Sequence, residues 1–244
     1  MSSQQTHVST VTTTSTRIRA GITRYRQWLR HSDTQMAELV LMVQQLQTKR
    51  LRSTHADLLA DPRYNPITEF FLSEIYTGLD LNELAREIEK ALPVAIRMLP
   101  DSVMRTAAIA VECNALTGEL DEAIATWLIT RSITKPSDED IIAAYQASDL
   151  TLRHEQARLL RELGLGLDRY VRSRLITATF KMSAGPARMA GLAGLYDFMA
   201  KGFAVMKPMK FVADFLDVFI GRELKILDNL ANGHPQLFNH EMPI

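Results

Sequence analysis

The sequence predicts an all-α fold: a multi-helix bundle of roughly nine to ten helices with no significant β-sheet. Three observations carry this. Apolar residues recur at spacings of three and four nearly throughout, alternating β-branched runs are absent, and glycine, proline and capping residues punctuate the apolar stretches at helical intervals. A hydrophobic fraction of 46% and a charged fraction of 23% are those of a globular protein.

The elements follow in order. Met1 to about Thr14 is polar and reads as a disordered tail, leaving residues 15–244 as one helical domain, divisible into packed layers of about 15–134 and 135–244. A first helix runs from about Ser15 to Arg30. Asp33 can cap a second, reaching about Ala60, with Met36, Val40, Val43, Leu51 and Leu58 inward. Asn65 and Pro66 restart the chain after Asp61-Pro62, and Gly78 ends that helix. Asp80 opens the next, which Pro93 kinks or splits. Gly118 separates two further helices of about 101–117 and 119–133. Ser137-Asp138-Glu139-Asp140 is a capping-box pattern opening a long helix, which Gly164 and Gly166 interrupt. Helices of about 167–182, 187–206 and 208–231 complete the chain.

Zero net charge conceals blocks. Residues 64–149 carry fifteen acidic and six basic residues, whereas residues 169–210 carry one acidic and eight basic. Such blocks can neutralise one another inside the fold or face partners. Their balance argues against nucleic acid as a partner, because a nucleic-acid binder carries an uncompensated basic face. No uncharged apolar run reaches the roughly 18–20 residues of a membrane span, which leaves peripheral contact open. The single cysteine, Cys113, excludes an internal disulfide and fits a reducing, cytoplasmic setting. Met1 to Ser32 holds five arginines and no acid, a composition shared by transit peptides. The late clustering of those arginines favours a polar tail followed by a basic helix.

At Phe70-Phe71-Leu72-Ser73-Glu74-Ile75-Tyr76 the sequence resembles the bacterial FFLEELY-motif proteins, with Ser73 and Ile75 replacing the motif's glutamate and leucine. Arg63-Tyr64, Leu99-Pro100, Gly202-Phe203, Arg222-Glu223 and Pro235 with Phe238 extend the likeness over residues 60–238. The resemblance implies a cytoplasmic, helical bacterial protein and assigns no catalytic role.

Helical wheels place charges on apolar faces. At 100° per residue, with Ile67 at zero, Glu74 falls at about 340° between Phe70 and Phe71. With Val212 at zero, Glu223 falls at about 20°, between Leu216 and Phe219. Arg188 falls on the stripe of Leu192, Leu195 and Met199. Arg63, Arg188 and Arg222 are candidate partners for the carboxylates, with Tyr64 and Tyr76 beside them. Such a cluster is either a buried ion-pair network docking two helical layers, or a polar pocket in which Glu74 or Glu223 serves as acid or base.

No cofactor is implied: there is no Glu-x-x-His pair, no zinc spacing among the six scattered histidines, no phosphate-binding loop and no nucleophile elbow. Residues 180–223 form the most ligand-like stretch. Met199, Phe203 and Met206 with Lys201, Lys207 and Lys210 are either ordinary core with solvated lysines, or a surface for an acyl chain, an anionic membrane or a partner helix. The leading expectation is therefore a helical binding protein, the alternative an enzyme using an interior carboxylate.

Overall fold

The computed structural model describes residues 14–24, 26, 34–76, 81–210 and 212–233. Of these, 87% are helical and none is in a strand. The expected tail, and the capping roles of Asp33, Gly78 and Asp80, lie outside the described residues. Helix α1 covers residues 14–24, α2 Thr34–Thr54, α3 Ala56–Ala60 and α4 Asn65–Phe70, which continues as a π-helical stretch, Phe71–Tyr76. Then come α5 Leu81–Met98, α6 Asp101–Thr130, α7 Asp138–Ala147, α8 Leu150–Arg172, α9 Arg174–Met182, α10 Ala184–Met189, α11 Ala193–Met206 and α12 Val212–Ala231.

Four long helices make the body. Helices α6 and α8 run antiparallel, joined by Gln156 to Thr117 at one level and by the Tyr170 and Thr106 hydroxyls at the other. Helix α12 runs antiparallel to α8, with Arg161 on Asp217 and His154 near Asp228. Helix α2 closes the cycle. Its N-terminal half joins Ile124, Leu128, Tyr145, Ile226 and Leu230 in one apolar cluster. Its C-terminal end joins Val212, Phe215, Phe219 and residues of α3, α4 and α8 in another. Both clusters draw on helices from both halves of the chain. Helices α1 and α5 cover the N-terminal part of α6 through Ile18, Ile22, Leu92 and Met104.

Two expected breaks are continuous helix: Gly118 is buried inside α6, and α8 passes through Gly164 and Gly166. Pro93, expected to kink or split its helix, lies inside an unsplit α5. A mid-helix glycine weakens a helix by about 1 kcal/mol, which tertiary packing can override. The two α8 glycines serve close approach. A Cβ on Gly164 would stand 2.7 Å from a Leu216 methyl, and one on Gly166 3.0 Å from the Thr106 hydroxyl. Conversely, breaks fall where none was expected: at His55, at Ser173, and at residues 190–192, where Gly191 adopts a φ of 69°. Asn65 is not the cap of α4. Tyr64 holds that position, and the Asn65 amide instead donates to the Leu59 carbonyl at 2.7 Å. Ser137 and Asp140 form the expected capping box at the start of α7.

Gly221 provides the contrast, since a Cβ there meets nothing within 4 Å. Gly221→Ala should stabilise the fold by about 0.5–1 kcal/mol through helix propensity. Gly164→Val should destabilise it by about 1–3 kcal/mol through overpacking against Leu216. Urea unfolding of the two variants checks the opposite signs.

Candidate functional site

Glu223 occupies the seam between the two main clusters. Along α12, Phe219 and Ile220 belong to one cluster, Ile226 and Leu227 to the other, and Glu223 stands between them. Arg50 occupies the equivalent place on α2, between Val43 and Leu51. The two meet in a fork, Nη1 to Oε1 at 3.1 Å and Nη2 to Oε2 at 2.7 Å, with side chains only 13% and 18% exposed. His55, fully buried in the break after α2, places Nε2 3.0 Å from Glu223 Oε1. The nitrogen donates, since an ionised carboxylate can only accept. The imidazole stacks on Phe219 at 3.9 Å, and Phe219 touches Phe71 of the π-helical stretch at 5.4 Å. Burial pushes the Glu223 carboxyl up. The Arg50 charge and the hydrogen bonds from His55 and Arg50 outweigh that push and hold it at about 2.

The other expected residues disperse. Arg222 does not pair with its neighbour Glu223; it turns outward to clamp Asp57 at 2.5 and 2.7 Å and donates to the Thr54 carbonyl. Arg63 lies in the turn before α4, exposed and bound to Asp61 at 2.6 Å, with its guanidinium over the Tyr64 ring. Tyr64 packs against Phe215. Glu74 is 29% exposed and pairs with Lys201 at 3.1 Å rather than with an arginine. The wheel misplaces Glu74 because the wider π turn advances each residue by less than an α turn does. Arg188 is exposed on Asp197, because the break at residues 190–192 takes it off the stripe of Leu195 and Met199. The Tyr76 side chain lies outside the described residues.

Arg50 and His55 were not anticipated, although one signal was available. On the wheel that places Val43 inward, Arg50, seven residues on, falls within about 20° of it. His55 gave no such signal, since it sits in a break that the sequence does not mark.

Helices α9 to α11 lie outside the bundle. No residue from 174 to 205 is buried, and Leu175, Met182 and Met189 are 77%, 80% and 90% exposed. Met199 and Phe203 are half-buried, whereas Met206 and Met209 are buried against the body. The layer coheres through Phe180, stacked on Tyr196 at 4.5 Å and tilted against Phe203 at 4.9 Å. It joins the body through Phe198 on Phe70, the Lys201–Glu74 pair, and the buried Glu87 carboxylate, which accepts from the Gly194 and Leu195 backbone N–H groups at the α11 N-terminus. Of the eight basic residues from Arg169 to Lys210, Arg172, Arg188 and Lys201 are paired. Arg169, Arg174, Lys181, Lys207 and Lys210 have no ion-pair partner among the described residues. A groove of about 460 Å³ is lined by Val171, Arg172, Arg174, Thr177, Ala178, Lys181 and Lys207.

Among the described residues no group of His, Cys, Asp and Glu is placed to hold a metal ion, and no helix is long and apolar enough to cross a membrane. Cys113 is buried, its thiol pushed up to about 12 by desolvation, so it stays protonated at neutral pH.

Two outcomes follow from the Glu223 geometry. Glu223→Gln should destabilise the protein by about 3–5 kcal/mol, because Arg50 keeps its desolvation penalty without its counter-charge. Glu74→Ala should cost under about 1 kcal/mol, as exposed pairs do; urea unfolding of both measures the difference. The second outcome concerns pH. The folded carboxyl at about 2 lies below its ordinary 4.5. Its contribution, roughly 3 kcal/mol, is therefore complete above the higher value and is lost as pH falls through the lower. Stability of the parent should fall between those pH values, and the fall should be shallower in Glu223→Gln.

The chain matches no curated protein and no solved structure. Its residues 27–237, most of its length, match the family described as a domain of unknown function, DUF8198, and the chain belongs to that family.

Proposed function

We propose that this is a helical binding protein in which the four-helix body is the scaffold and α9–α11 the ligand-contacting layer, taking an amphipathic, acyl-type ligand or a partner helix. One observation carries the reading: residues 174–205 contain no buried residue, yet they expose Leu175, Met182 and Met189. These three are the most exposed large apolar side chains among the described residues, and Leu175 and Met182 share one side of α9. Methionine suits such a surface because its unbranched, polarizable side chain adapts to varied partners. The resemblance to the FFLEELY-motif proteins and the single thiol support a cytoplasmic setting for this activity.

The alternative, chemistry at an interior carboxylate, finds less support. Glu223 is held ionised by Arg50, the opposite of the raised pKa that a general acid needs at neutral pH. Glu74 is engaged by Lys201 at the surface.

Calorimetric titration with monomeric dodecanoate tests the binding reading. Saturable binding is expected, together with a rise in Tm, because a ligand that binds only the folded state stabilises it. Replacing Leu175 and Met182 together by aspartate should abolish the binding while leaving the unliganded Tm unchanged. Absence of saturable heat at low salt, or full retention of it in the double variant, would overturn the acyl-ligand reading. Lys201→Gln should matter less than Lys207→Gln, because only Lys201 is held by a carboxylate.

A further inference from the structure

We propose that α9 docks on the anionic surface of a phospholipid bilayer, with Leu175 and Met182 entering among the lipid headgroups and Arg174, Lys181 and Lys207 holding their phosphates. The proposal rests on reading α9–α11 as the ligand-contacting layer and names its partner.

The placement follows from helix geometry. Residues 174, 177, 178 and 181 are spaced by three and four, so they share one stripe of α9, and all four line the groove. Arg174 and Lys181 stand at its two ends, about 10 Å apart along the helix axis. Leu175 and Met182 are each one residue further on, so they form the neighbouring stripe about 100° round. Helix α9 therefore presents an exposed apolar stripe beside a basic one, the arrangement of a helix that lies in a membrane interface. Lys207, from the segment after α11, lines the same groove.

Charge complementarity selects the partner. None of the seven lining residues is acidic, and Arg174, Lys181 and Lys207 have no ion-pair partner among the described residues. Arg172 holds the groove's shape. Its guanidinium is bound by Asp168 at 3.0 Å and donates to the Lys207 carbonyl at 3.5 Å and to the Met209 carbonyl. The wall that carries Lys207 is thereby tied to the end of α8. The exposed apolar residues are also spaced for a bilayer. Leu175 and Met182 protrude separately, two turns apart, which suits entry between headgroups better than the packed centre of a protein interface. Each basic residue close to an anionic surface strengthens binding roughly fivefold, so three together contribute about a hundredfold.

Flotation of the full chain with vesicles tests this, using phosphatidylcholine alone and phosphatidylcholine mixed with phosphatidylglycerol. The expected result is flotation with the mixed vesicles only, weakening as salt rises through about 0.1 M, where the Debye length is about 10 Å. Arg174→Gln, Lys181→Gln and Lys207→Gln combined should weaken it about a hundredfold. Leu175→Ser with Met182→Ser should weaken it independently. All five positions are exposed, so circular dichroism melts of both variants should match the parent. Three results overturn the proposal: no flotation with the anionic vesicles at low salt, equal flotation with neutral ones, or undiminished flotation of the triple variant. If monomeric dodecanoate binds while vesicles do not, the bilayer is excluded and the ligand-face reading survives. If neither binds, the bilayer and the acyl ligand both fall. Saturable binding of inorganic phosphate without flotation would identify a free anion as the groove's occupant and likewise overturn the bilayer.

Discussion

The Arg50–Glu223 fork is the constraint on which the body depends. It joins two helices, α2 and α12, whose inner faces are apolar apart from the fork and the buried Gln47 of α2, and it does so where one apolar cluster gives way to the other. A charge pair at such a seam fixes register. Sliding α2 along α12 by one turn would leave a guanidinium and a carboxylate buried apart, a state far costlier than the same slip between leucines. His55 reinforces the choice from a third direction, since its ring is clamped between the Glu223 carboxylate and the face of Phe219.

The π-helical stretch connects this body to the outer layer. Thr68 and Ser73 both return their hydroxyls to carbonyls four residues earlier, at 2.8 and 2.7 Å, which loosens the helix on either side of its first π residues. Consecutive phenylalanines then serve different neighbours. Phe71 packs on Phe219 within the body, while Phe70 packs on Phe198 of α11, and Gly202 lets the Phe70 ring approach closely. The short motif thus couples the scaffold to the layer that the proposed ligand would touch.

How much of this was legible in the sequence differed by residue. Helical character was, because the three-and-four spacing of apolar residues is strong over long segments. Glu223 was also legible, since a regular helix of twenty residues keeps its wheel in phase. Glu74 and Arg188 were not, because one lies in a π turn and the other beyond a break, and either shifts the phase of the wheel. Gly118, Gly164 and Gly166 looked like stops only when each was weighed alone. In the fold Gly118 is buried within α6, and Gly164 and Gly166 are places where the Leu216 and Thr106 side chains press against α8. The partners of Glu223 were harder still. An arginine 173 residues away is invisible to any local rule, although its own apolar neighbours on α2 marked it as unusual.

That separation matters while the chain is being made. At a translation rate of roughly 5–20 residues per second, α2 leaves the ribosome on the order of ten seconds or more before Glu223 exists. Throughout that interval the inner face of α2 carries Gln47 and Arg50 between its apolar residues, two polar side chains with several groups to hydrogen-bond with water. A helix with leucines at those two positions would offer an unbroken apolar stripe to any chaperone or neighbouring nascent chain. The polar seam that fixes register in the finished protein therefore also interrupts the apolar stripe that α2 presents before α12 has been made.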